Sequence, residues 1–130
     1  MFKINSETNN ISVTRGNSFE LSVKPIIAES EETYIPAAND KILFTVKGST
    51  GKTYVKKIIS GTECAADGTI TISIFPADTL NMKPFVYSYD ILLVKQNGEA
   101  YTFIDKSDFT LLEAIGTVED LEENGDINEN

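Results

Sequence analysis

Asp90, Asp105, Asp108 and Glu113 are scattered carboxylates whose type suits acid–base chemistry. Glycoside hydrolysis needs two carboxyl groups held at a defined separation across a cleft. Nothing in the spacing of these four requires such a pair, and solvation at strand edges accounts for them. Tyr87, Tyr89 and Tyr101 offer a second chemistry, an aromatic platform for a sugar ring. Their alternation with Ile91 and Leu93 fits core packing and cross-strand pairing better, and the chain has no tryptophan. The stretch "NGDIN", residues 124 to 128, spaces oxygen ligands like the start of a calcium loop, but a working loop needs a carboxylate at its twelfth position. A solvated acidic run is the expectation there. Cys64 is the single cysteine and the sequence contains no histidine. Ser–His and Cys–His nucleophiles, Cys/His zinc sites and an intrachain disulfide are thereby excluded. No catalytic activity, metal or cofactor is expected.

The elements that must position these side chains fit one domain, since 130 residues bury a core without staples. A 41% hydrophobic content is too high for a wholly disordered chain. No apolar run approaches the ~20 residues of a membrane helix. The N-terminal "MFKINSETNN" lacks the pattern of a secretory signal, so synthesis in the cytoplasm is expected. The net charge of -9 gathers in residues 116 to 130, which hold Glu119, Asp120, Glu122, Glu123, Asp126 and Glu129 without Lys or Arg. A near-neutral body with an acidic tail predicts no partnership with nucleic acid or with anionic membranes.

The dominant sequence period is two. Phe19, Leu21 and Val23 alternate with polar residues; so do Ile42, Phe44 and Val46, and Ile70, Ile72 and Ile74. Strands with one buried and one wet face read this way. Weaker runs cover 10–14, 53–58, 100–104 and 108–115. Turn signals fall at "RGNS" (15–18), "GSTGK" (48–52), "ADG" (66–68) and "QNGE" (96–99), with Asn97-Gly98 the best hairpin. In "FVYSYDILLVK", 85 to 95, both alternating sets are apolar in the second half, which predicts a central strand. Just before it, "PADTLNM", 76 to 82, predicts one helical turn of the tighter type, begun by Pro76 and limited by Pro84. Asp78 is expected to cap that turn through backbone N–H groups. The corner should carry the chain from one sheet to the other. The loop "PIIAESEETYIPAAND", 25 to 40, reads as a solvated crossover, with an extra short strand near Tyr34-Ile35 as the alternative.

Taken in order, "ISVTRGNSFELSV", "NDKILFTVK" and "DGTITISIFPADTLNMKPFVYSYDILLVKQNGEAYTFIDKSDFTLLEAI" resemble one family. It is the immunoglobulin-like β-sandwich at the N-terminus of tailed-phage baseplate upper proteins, found also in prophage structural proteins. The resemblance spans roughly residues 10 to 115. It implies a virion component, made in the host cytoplasm, that assembles with copies of itself or with other tail proteins. In the family pattern, Pro76, Asp78 and Thr79 form a structural corner and Tyr87 and Tyr89 lie on the strand after it. Baseplate upper proteins continue into further segments that bind the receptor-binding module. Here a 15-residue acidic tail follows instead, which points to a stand-alone accessory or neck-tail protein.

The expectation is therefore an all-β, antiparallel immunoglobulin-like sandwich over residues 1–115 with a flexible acidic tail at 116–130. Its role would be non-catalytic protein–protein assembly. The rival is an immunoglobulin-like module recognising carbohydrate or a cell-surface protein.

Overall fold

The computed structural model describes residues 3–4, 9–27 and 29–122. The "NGDIN" stretch and the rest of the acidic run beyond residue 122 lie outside the described residues. Strands dominate: β1 (Lys3–Ile4), β2 (Ile11–Thr14), β3 (Phe19–Val23), β4 (Lys41–Lys47), β5 (Thr53–Ser60), β6 (Ile70–Ile74), β7 (Phe85–Val94) and β8 (Ala100–Leu112). Two single helical turns interrupt them, α1 (Pro76–Thr79) and α2 (Glu119–Glu122), with a 3-10 turn at Gly61–Glu63. The 3-10 turn and α2 have no counterpart in the sequence reading; α2 falls within the acidic segment.

One sheet has six strands in the order β1-β2-β8-β7-β4-β5, and the other pairs β3 with β6. β7 is interior to the larger sheet, as its two apolar sets require. Side chains from both sheets enter one hydrophobic cluster. Phe19, Leu21, Ile70, Ile72 and Ile74 come from the small sheet, and Ile42, Phe44, Val46, Tyr87, Tyr89, Ile91, Leu93, Phe109 and Leu111 from the large one. Phe19 and Phe109 meet between the sheets with ring centroids 6.1 Å apart, and Phe44 packs on Tyr89 at 5.5 Å. Burial of such side chains contributes about 1.5–3 kcal/mol each and is the main force joining the layers.

Three expectations need correction. The larger sheet is mixed: β2 runs parallel to β8, with Ile11 beside Phe109 and Val13 beside Leu111. A period of two specifies which face is buried and carries no strand direction. The turn at 76–79 is α-type, closed by Leu80 N–H donating to the Pro76 carbonyl at 3.1 Å. The runs at 100–104 and 108–115 belong to one strand, β8, which ends at Leu112. Its register against β7 shifts twice, around Tyr89–Ile91 and Ile91–Leu92. Extra residues of this kind bend a strand and re-aim its side chains.

The Asn97-Gly98 hairpin forms as expected. Gly98 N–H donates to the Lys95 carbonyl at 2.8 Å, Lys95 N–H to the Glu99 carbonyl at 2.7 Å, and Gly98 sits at φ 95°. The same bonding recurs across 48–52 and 65–69. The 25–40 loop folds back on itself: Ile26 bridges Thr33, and Tyr34 N–H donates to the Pro25 carbonyl at 2.8 Å.

Candidate functional site

Hydrogen bonding fixes the corner after β6. Asp78 accepts the Phe75 N–H at 2.7 Å, and Lys57 from β5 closes on the same oxygen at 2.8 Å. Asp78 thus caps the turn, and its carboxylate is engaged within the fold. Pro76 opens the turn as its first residue, where a missing N–H costs nothing. Thr79 is fully buried, and its hydroxyl accepts the Gly16 N–H at 2.8 Å. Arg15 adds a bond to the Leu80 carbonyl at 2.6 Å. The corner is therefore clamped to the 15–17 turn between β2 and β3, a contact that no local pattern announces.

The tyrosines divide. Tyr87 and Tyr89 are buried, and their hydroxyls donate to the backbone carbonyls of Lys83 and Asn9. Burial pushes both phenols up, Tyr89 to about 12. Tyr101 is 51% exposed and donates to Glu99 at 3.1 Å. The three do not form one platform.

Tyr101 lines a groove of about 650 Å3 between the 25–34 loop and the β7–β8 hairpin, together with Ile26, Ile27, Tyr34, Leu93 and Phe103. Ile26 is 54% exposed and Ile27 38%. Lys95 lies 5.4 Å from the centroid of the Tyr34 ring, at the groove wall. Aromatic and branched apolar side chains with few charges suit a protein or ring-shaped ligand surface.

Behind the groove sits Asp40, a buried charge immediately before β4. Its carboxylate accepts the Tyr34 hydroxyl at 2.6 Å, the Ala37 N–H at 2.9 Å and the Gln96 N–H at 3.0 Å. Burial opposes its charge, but these donors outweigh burial and hold the carboxyl below its ordinary range. The same bond pushes Tyr34 up to about 12. Asp40 thereby pins the loop, β4 and the β7–β8 hairpin to one another. Gly61 completes this knot by donating its N–H to the Asp40 carbonyl at 2.8 Å. A Cβ at Gly61 would stand 1.7 Å from the Ala37 carbonyl oxygen, so only glycine fits.

The candidate acids are not gathered. Asp90 points from β7 to the face away from the core, Asp105 and Asp108 are exposed on β8, and Glu113 pairs with Arg15 at 3.3 Å. Among the described residues, no three His, Cys, Asp or Glu side chains cluster as metal ligands would. Cys64 is partly buried, and burial raises its thiol above the ordinary range, away from the reactive thiolate. No helix among the described residues is long and apolar enough to cross a membrane. No family model, curated protein or solved structure matches the chain.

Proposed function

We propose that the chain is a non-catalytic interaction module, an immunoglobulin-like β-sandwich that works by protein–protein assembly. The observation that carries this reading is the groove beside the β7–β8 hairpin, where Ile26, Ile27 and Tyr101 leave apolar surface open to solvent. Exposed apolar surface of this kind marks interaction sites. The parallel β2–β8 pair, and a β2-β8-β7-β4-β5 sheet sharing its core with β3-β6, support the immunoglobulin-like assignment. The setting we propose is a phage or prophage virion, with other tail proteins or further copies of the chain as partners. That setting rests on the sequence resemblance of residues 10 to 115 alone.

Co-purification of the full chain with the products of adjacent genes, together with light scattering, tests the reading. Capture of a tail protein, or self-association, that is lost in Ile26→Glu and Tyr101→Ala supports it. A strictly monomeric chain that captures none of those products overturns it.

The half-exposed Tyr101 ring also favours a second reading, a module recognising carbohydrate. Retention on a glycan array that Tyr101→Ala abolishes would select it.

A further inference from the structure

The hairpin of β4 and β5 departs from the rest of this acidic chain. Between residues 41 and 60 lie Lys41, Lys47, Lys52, Lys56 and Lys57, five of the eleven cationic side chains, and no Asp or Glu. Strand register decides where they point. Ile42, Phe44 and Val46 enter the core, so Lys41, Leu43, Thr45 and Lys47 project from the opposite face. Thr45 pairs with Lys56 and Leu43 with Ile58, which places both β5 side chains on that same outer face. Leu43 also pairs with Leu92 of β7. Ile58, Leu43 and Leu92 thus form an apolar row across three strands, and Ile58 is 61% exposed. A shallow groove of about 470 Å3 runs beside the row and reaches Lys47 and Lys106.

Lys57 alone turns toward the corner and pairs with Asp78. Lys41, Lys47, Lys52 and Lys56 make no ion pair among the described residues. Lysines on an edge strand commonly serve to block aggregation, and Lys56 on β5 fits that role. Lys41 and Lys47 do not, because β4 is an interior strand between β5 and β7. Their positive charge covers a sheet face. That face has one carboxylate in its groove lining, Asp90, opposite Thr45.

We propose that this outer face of β4 and β5 is a second docking surface, and that its occupant is an acidic protein segment. The segment's apolar side chains lie along Ile58, Leu43 and Leu92, and its carboxylates meet Lys41, Lys47 and Lys56. Charge complementarity selects this occupant. A second copy docked face to face on the same surface would set these lysines against themselves. The site goes beyond the Tyr101 groove, uses different residues, and stands or falls separately from it.

The test is titration of the full chain with a labelled peptide alternating Glu with Leu, beside a control peptide with Lys in place of Glu. Binding is followed by fluorescence anisotropy and backbone amide shifts. The expected result is binding of the acidic peptide alone, with shifts within 41–60 and at Leu92. Affinity should fall at least tenfold in Lys41→Glu/Lys56→Glu and severalfold in Ile58→Ser, and should weaken as salt rises. A circular-dichroism spectrum and thermal midpoint unchanged from the parent chain establish that the variants are folded. Failure of the acidic peptide to bind overturns the proposal. So do shifts centred on Tyr101, equal binding of single-stranded DNA or phosphatidylserine vesicles, or self-association that occupies the face.

Discussion

Asp40 brings a negative charge into the interior, and both of its carboxylate oxygens are occupied by donors from the loop and the hairpin. Removing one partner of such a set costs more than the bonds are worth, because the remaining donors lose water as well. Asp40→Ala is expected to destabilise the chain by about 3 kcal/mol in urea unfolding, since three donors lose their acceptor. Asp40→Asn should cost less. The pH dependence has a defined sign. A carboxyl held below its ordinary range stabilises the fold at neutral pH, and that contribution is lost as pH falls through the native value. The stability gap between the parent chain and Asp40→Asn should therefore narrow in acid; a gap that widens there would contradict the bonding described. Only the Ala37 and Tyr34 donors lie within local reach, three and six positions away. The Asp40 carboxylate meets the backbone of Gln96, 56 positions away, and a single charged residue before a strand reads equally well as a turn residue.

Turns and strand faces, by contrast, were readable at the scale of the element. Glycine at φ 95° and the alternating Ile70, Ile72 and Ile74 are local physical requirements, so the sequence states them directly. Strand direction and the junction of distant turns are not local. The parallel β2–β8 pair is set by which apolar faces must align, Ile11 with Phe109 and Val13 with Leu111. The lysine face was hidden for a related reason: net charge over the body averages the basic hairpin against acidic loops. The corner yields a prediction at this scale. Thr79→Val preserves shape but leaves the buried Gly16 N–H without its 2.8 Å acceptor. A loss of about 1–3 kcal/mol is expected. It should appear as faster amide exchange in both the 15–17 turn and α1, because this bond, beside that of Arg15 to the Leu80 carbonyl, joins the two. Exchange confined to α1 would show that the clamp is not shared.

At the scale of the whole molecule, alkaline pH probes both ends of the core together. Tyr34 sits in the Asp40 knot and Tyr89 reaches the Asn9 backbone from the middle of β7. Both phenols are raised from about 10 to about 12, Tyr34 chiefly by its bond to Asp40 and Tyr89 by burial. A raised native value means that the unfolded chain releases its protons first. The stabilisation is complete below about pH 10 and is lost as pH climbs through about 12. Denaturant midpoints measured from pH 9 to 12 should fall across that window. Tyr34→Phe and Tyr89→Phe should each flatten the decline while costing about 1 kcal/mol at neutral pH through the lost hydroxyl bond. The Cys64 thiol, also raised by burial, would add to the decline at lower pH. A Cys64→Ser background isolates the tyrosines. If the double phenylalanine variant in that background keeps the full alkaline slope, the two phenols are not what holds the loop and the central strand at high pH.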